Sequence, residues 1–447
     1  MRGYFKNSFI ALSLSAGFFN ASAQDQTVNI SLKDALDYTA KNNIQIKNSK
    51  LDVLIQIAKN AQVTAAAYPK LNGSAQFMDY IDPMKALIPG DFVGQPGTFI
   101  PVQFSPKYSS NANINASQIL FDGSVVVALQ ARKTVVELAE QAGKLTEVEI
   151  KYNVQKAYYS LAIAHRQFDI LKSSISFART MAGELSVMKD EGFVEKIDVD
   201  RANVQVNNLV SDSLRTANLL EVSEQLLKYQ MGMDIKTPIR LVDTNMNEYV
   251  LQANSIIREE TDYDNRYDYL LSKTQLKGNE FNLKRYKLAA LPSLVANGSM
   301  GYNYGSNYFN EMFKSKYIWS SYVALQLNVP IFNGFQRTNQ VRETKLDILK
   351  SKNNIEFKKQ SIDFETSTAR ATLKNNLLQF ENEKRNLELA NSVLELARIK
   401  YKEGVGSSLE VTQAQTEFLR AQGNYFNTML NIITSEADLQ KALGLIK

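Results

Sequence analysis

No cysteine occurs anywhere in the chain, which excludes disulfides and an N-terminal lipid attached through cysteine. Histidine occurs once, as His165. A metal centre of imidazole and thiolate would therefore lack a second ligand of either kind, and a packed, hydrogen-bonded histidine is the expectation. No apolar run approaches the ~20 residues of a membrane-crossing helix. A phosphate-binding glycine loop followed by lysine is missing too, as is any conspicuous nucleophile–base pair, so neither a nucleotide site, another cofactor nor catalysis is expected. Charge is also weak: the formal balance is +5, and it falls to +3 without Arg2 and Lys6. That is too mild to argue for a nucleic-acid partner.

Proline is scarce outside one stretch. Six of the nine prolines lie between Pro69 and Pro106, the next is Pro238, and none follows Pro330. The long proline-free stretches are rich in Leu, Ala, Gln, Glu and Lys, a composition suited to very long helices. At the N-terminus Arg2 and Lys6 precede apolar Phe9–Phe19 and the small residues Ala21-Ser22-Ala23. This is the pattern of an export signal, residues 1–23, cleaved between Ala23 and Gln24.

What is present is a duplication. "AYPKLNGSAQF" (67–77) resembles "ALPSLVANGSM" (290–300), "SQILFDGSVV" (117–126) resembles "NVPIFNGFQR" (328–337), and "LKYQMGMD" (227–234) resembles "LQKALGLI" (439–446). Two repeats are expected, 24–250 and 251–447. Each reads helix, strand, loop, strand, long helix, break, helix. The breaks fall at Gly192 in "KDEGFVEKIDV" and at Gly404 and Gly406 in "YKEGVGSSLEV". The long helices are expected over Ser124–Gly192 and Phe335–Glu403.

Their apolar residues step by three and four, as in a coiled coil: Ala369, Leu373, Phe380, Leu387, Ala390, Leu394, Ala397 and Tyr401, with Asn376 and Glu383 as polar exceptions. Leu161, Phe168, Ile175, Ala178, Ala182 and Leu185 hold the same phase earlier, and Val411, Ala414 and Phe418 resume it after the break. Such seams zip a helix onto an antiparallel partner, with a glycine at each reversal and both tips at one end of the molecule.

Strands are expected at about 70–80, 109–121, 293–304 and 319–331. Ala112, Ile114 and Ala116 alternate with Asn111, Asn113 and Asn115. Likewise Trp319, Ser321, Val323, Leu325 and Leu327 alternate with Ser320, Tyr322, Ala324, Gln326 and Asn328. Segments of this length with one apolar and one polar face fit tilted membrane strands, and Trp319, Tyr302 and Tyr304 sit where an interfacial aromatic girdle would lie. Four strands cannot close a barrel, and open edges are not tolerated in lipid. Several chains must then share one barrel: two would supply eight strands, three would supply twelve.

These features resemble the TolC-type outer membrane efflux proteins. "SLKDALDYTAKNNIQIKNSK" (31–50) is similar to that family's N-terminal helix. "DNRYDYLLSKTQLK" (264–277) is similar to its second-half counterpart, with Tyr267 where the family often has proline. The paired F-[DN]-G turns at 121–123 and 332–334 and the paired glycine breaks complete the pattern.

The resemblance implies a mainly α fold with membrane β: long antiparallel coiled-coil hairpins and four transmembrane strands per chain. A homotrimer would complete a shared 12-strand barrel and an α-helical tunnel, with 233–262 in a belt around it. It further implies a passive exit duct in the outer membrane of a Gram-negative bacterium, its tunnel in the periplasm, embedded in outer-membrane lipid. A periplasmic adaptor and an inner-membrane pump or ABC transporter would serve it, for efflux of small molecules or type I secretion of proteins.

By the same resemblance Asp198 and Glu410, each six residues after its glycine, are selectivity acids at a periplasmic gate. Tyr401 is a gating tyrosine, and the turns at Gly192, Gly404 and Gly406 touch the adaptor. Gly406 stands where a gate arginine occurs in the best-known pattern, leaving Lys196 or Arg201 as the basic arm. Beside these roles stand plainer ones: Ser407 to Glu410 also reads as a capping box, Asp198 as a helix-start acid, and Tyr401 as seam packing. The competing class is a structural coiled-coil surface stalk or adhesin, which needs neither matched strand pairs nor helices folding back at glycines.

Overall fold

A computed structural model describes residues 27–242, 253–313 and 316–446. The expected signal segment with Ala23 and Gln24, and part of 233–262, lie outside the described residues. The chain runs β1 (Val28–Ile30), α1 (Leu32–Asn42), α2 (Ile44–Ala65), β2 (Lys70–Asp79), β3 (Lys85–Pro89), β4 (Phe99–Gln103), β5 (Tyr108–Phe121), α3 (Gly123–Asp190) and α4 (Lys196–Met231). It continues through β6 (Ile239–Leu241), α5 (Tyr267–Leu288), β7 (Ser293–Ser306), β8 (Ile318–Asn328), α6 (Gln336–Lys402) and α7 (Ser408–Ala442).

Helices α3 and α6 have 68 and 67 residues. At ~1.5 Å per residue each is roughly 100 Å long. Among the described residues no helix is long and apolar enough to cross a membrane. Each long helix folds back on a shorter partner, α3 on α4 and α6 on α7. The seams are where the three–four stepping places them: Leu161, Ile175, Ala178, Ala182 and Leu185 are buried, as are Ala369, Leu373, Phe380, Leu394 and Ala397. The polar exception Asn376 is satisfied, its amide donating to Asn431 O and Ser435 Oγ, both at 3.1 Å. His165 is half-buried on α3.

The stretch expected as one N-terminal helix is two. Asn43 ends α1 and starts α2, its Oδ1 accepting from the Gln45 and Ile46 N–H groups at 2.8 and 3.3 Å. Its amide donates to Gln230 O at 2.8 Å, which ties the break to the end of α4. Around this point lies the main core, in which Ile46, Tyr158, Leu161, Leu227, Met231, Leu373, Ile432 and Leu439 are all buried. Each fully buried aliphatic side chain of this kind contributes about 1.5–3 kcal/mol. Beside the core, β1 pairs in parallel with β6. Arg266 clamps the end of α7, donating to Ala442 O at 2.8 Å while its other nitrogens hold Asp268 and Glu365.

At the other end β2, β5, β7 and β8 form one antiparallel sheet in that order, so β2 and β8 are its free edges. The register pairs Ala75 with Ala112, Ala112 with Tyr302 and Tyr302 with Trp319. Because directly paired residues share a face, Leu71, Ile114, Ala116, Met300, Val323, Leu325 and Leu327 join these on one side. Asn72, Ser74, Gln76, Asn111, Asn113, Asn115, Ser299 and Asn303 occupy the other. The expected loop 80–108 contains a further hairpin, β3 with β4. Its prolines concealed the strand alternation, since Pro89 and Pro101 sit inside the strands.

Candidate functional site

Both reversals are built by the same backbone device. Gly192 and Gly404 adopt φ of 80° and 76°, a left-handed conformation that glycine enters at no steric cost. Phe193 N–H then reaches back to Met188 O at 2.8 Å, and Val405 N–H to Lys400 O at 3.0 Å, satisfying carbonyls that the ending helices would otherwise leave unpaired. Gly406 has a different reason: a Cβ there would lie 2.9 Å from Lys400 Cβ and 3.0 Å from Tyr401 N. The turn closes against the last helical residues, so a side chain at 406 forces it apart.

The two tips meet. Met181, Ala182, Leu185, Val199 and Ala202 from the first reversal form one apolar cluster with Leu394, Ala397, Val411 and Ala414 from the second. Arg398 stacks over Phe177 at 3.8 Å and donates to Gln415 at 2.9 Å. Gln415 in turn donates to Ser174 at 3.3 Å. These bridging polar residues were not singled out from sequence; their only signal is a position beside the seam.

Asp198 lies half-buried in the first turn of α4. It accepts from Ser408 Oγ at 3.4 Å and stands 3.8 Å from the Arg201 guanidinium. With Val204, Leu409 and Thr412 these residues line a groove of about 360 Å³ between the two tips. Glu410 lines a different groove, between α6 and α7, beside Lys400 and Glu417. One chain thus does not bring the two acids together. Only half of the capping box forms: Ser407 Oγ accepts from Glu410 N–H at 3.2 Å, and the exposed glutamate is not part of the cap.

Tyr401 borders a third groove of about 690 Å³ with Phe177, Met181, Glu184 and Met188. Its hydroxyl rests 3.8 Å from Met188 Sδ. Burial, and then the charges of Glu184 and Asp198, push its pKa above the usual tyrosine value. It stays a neutral phenol at any ordinary pH.

On the polar sheet face the side chains hydrogen-bond across strands: Asn303 to Ser320 at 2.7 Å, Asn297 to Gln326 at 3.3 Å, and Asn111 to Gln76 at 3.5 Å. On the apolar face the Tyr302 and Trp319 rings meet edge-on at 5.0 Å, both half exposed. Tyr304 is buried, its ring 5.3 Å from that of Tyr317. It is packing rather than exposed girdle.

Residues 287–445 match the family model described as outer membrane efflux protein. The probable outer membrane lipoprotein SilC of Salmonella typhimurium is 23% identical over 323 residues, 68% of this chain. That match spans just under two thirds, 66%, of SilC's own length. The probable efflux pump outer membrane protein TtgC of Pseudomonas putida is 23% identical over 352 residues, covering 76% of this chain and 69% of that protein. Among solved structures, CusC superposes with a TM-score of 0.72 at 19% identity, covering 93% of both chains. The CmeC outer membrane channel of Campylobacter jejuni gives 0.70 at 18%, covering 92% of this chain and 85% of that one.

Proposed function

From the match of residues 287–445 to the outer membrane efflux protein model, and from the fold, we propose that this chain belongs to that family and is a passive exit duct. It acts as a homotrimer in the outer membrane of a Gram-negative bacterium. The observation that carries this reading is the sheet. It has two free edges, one face of exposed Leu, Val, Ile, Trp and Tyr, and one face of Asn, Ser and Gln. Lipid tolerates no unpaired strand edge, so β8 of each copy pairs with β2 of the next, and three copies close twelve strands. The polar face then lines the bore, and the long helices continue it for roughly 100 Å. A structural stalk has no use for a sheet of this kind.

The duct supplies no energy. A periplasmic adaptor meets the glycine turns, and an inner-membrane pump or transporter drives the cargo, whose class that pump sets.

Native mass in mild detergent should show a trimer that conducts in a planar bilayer, and membrane fractions should retain it through high-salt washing. A monomer that conducts, or release by salt, overturns the reading. An epitope inserted at Gly94 should be read on intact cells, because the 80–108 segment lies at the end opposite the glycine turns. At the tip, three copies of Asp198 and Glu410 face a narrow axis and favour cations. Replacing both by Ala should lower cation preference and weaken block by multivalent cations. Unchanged selectivity would leave both acids as helix-start residues.

A further inference from the structure

The β3–β4 hairpin has no role in the duct as described so far. Its surface is apolar: Ile81, Met84, Leu87, Phe92, Phe99 and Phe104 are between 67% and 98% exposed. From Lys85 to Gln103 the only charges are Lys85 and Asp91. A bare two-stranded ribbon is marginal in water, and a cluster of this size calls for a partner.

The hairpin is nevertheless well built. Gly90 N–H donates to Thr98 O at 2.7 Å, Gln95 N–H to Gly90 O at 2.9 Å, and Thr98 Oγ1 to Gln95 O at 2.8 Å, which locks the turn. At its base Asn307 Oδ1 accepts from Lys107 N–H at 3.0 Å and Gln103 Nε2 at 3.3 Å, tying it to the β7–β8 connection. It therefore presents a defined surface from a fixed root.

We propose that this hairpin is a copy-to-copy clasp at the extracellular mouth, each one packing its apolar side chains on the hairpin of the neighbouring copy. The inference rests on the trimeric duct reading. One observation selects a second copy as the occupant, and another sets the kind of contact. The hairpin leaves from β2, the edge strand that faces β8 of the next copy, so it continues the interface that the sheet requires. Each of its strands also carries a proline, Pro89 and Pro101. Prolines lack the N–H that would extend a ladder, so contact is made through side chains. Three such hairpins around one axis narrow the mouth with an apolar ring.

The cysteine-free sequence gives a clean test. In Phe92→Cys and, separately, Leu87→Cys, oxidation of intact outer membranes should link copies pairwise, in at most about two-thirds of chains, as one thiol per copy around a three-fold axis permits. A trimer by native mass with no linked pair from either variant overturns the clasp. Free labelling by a membrane-impermeant maleimide would then mean hairpins standing apart in water. Labelling only by a lipid-soluble one would mean hairpins lying in lipid. Loss of the trimer itself would overturn the duct reading, and the clasp with it, so the two failures are distinguishable.

Discussion

The two halves of this chain share a plan and differ in their surroundings. In the first, α3 is an interior helix: α4 zips along it, and α1, α2, α5 and α7 also lie against it. Its counterpart α6 packs mainly on α7 and α5, meets α3 near the tip through Leu394, Arg398 and Tyr401, and leaves Phe357, Phe364, Leu378 and Leu389 exposed, each by more than 60%. One repeat is packed by its own chain. The other leaves an apolar flank uncovered, the flank that the proposed trimer would bury.

The sharpest attempt to break this comparison is at the seam itself. Leu161 and Leu373 occupy equivalent positions, and both are fully buried. Leu161→Ala and Leu373→Ala should each cost about 2–5 kcal/mol in denaturant unfolding. Phe364→Ser should leave single-chain unfolding nearly unchanged while lowering the temperature at which the assembly separates. Similar losses of assembly from all three would erase the distinction between core and flank.

A second contrast lies in the shorter helices. Lys228, buried on α4, pairs with Glu224 at 2.6 Å, whereas the equivalent residues on α7 are Glu436 and Gln440, whose amide donates at 3.0 Å. Without a cation, burial pushes the Glu436 carboxyl up to about 7. The folded form then binds a proton that the unfolded chain releases near 4.5. The stabilising contribution is complete below that value and is lost as pH rises through about 7, an effect on the order of 3 kcal/mol. Unfolding followed from pH 5 to 8 should show this decline. Glu436→Gln should flatten it, and Gln440→Lys should too, by giving the carboxylate the partner that Glu224 has.

Smaller effects are expected at the tips. Gly192→Ala and Gly404→Ala should each lose about 1 kcal/mol through forced left-handed backbone. The starts of the return helices differ more subtly: Ser407 caps α7 with its hydroxyl, while Glu195 makes no side-chain cap for α4. Ser407→Ala should cost about 1 kcal/mol and Glu195→Ser should gain up to a similar amount. Thermal melts of the pair would rank the two tips directly.

Much of the fold was legible because its signals are periodic and long. Three–four stepping over the long helices marked both seams, and Asn–Ala alternation in 109–121 marked β5 and its two faces. Local irregularity was not legible. The break at Asn43 depends on a hydrogen bond to Gln230, far along the chain, and the β3–β4 hairpin was hidden because prolines masked its pattern. At the tips the glycine turns could be read, since positive φ demands glycine. Gly406 was read as part of the same turn, but its reason was not legible, because the constraint is a close approach to Lys400 and Tyr401. Whether Asp198 and Glu410 converge depends on an axis between copies, which no residue of one chain encodes locally.

The strand order β2-β5-β7-β8 carries a consequence for the time course of folding. Both helical hairpins are closed by short turns and form from near neighbours along the chain. At the centre of the sheet, however, Tyr108 pairs with Ser306, so the two repeats are stitched together by contacts of very long sequence separation. Such pairings form slowly, since a large loop must close before any contact rewards it. The helical portion and the separate β2–β5 and β7–β8 pairs can therefore form first, while the central β5–β7 pairing waits for the second repeat. A chain cut short before β7 would leave the β2–β5 hairpin with both its edges unpaired, a ready target for chaperones and proteases.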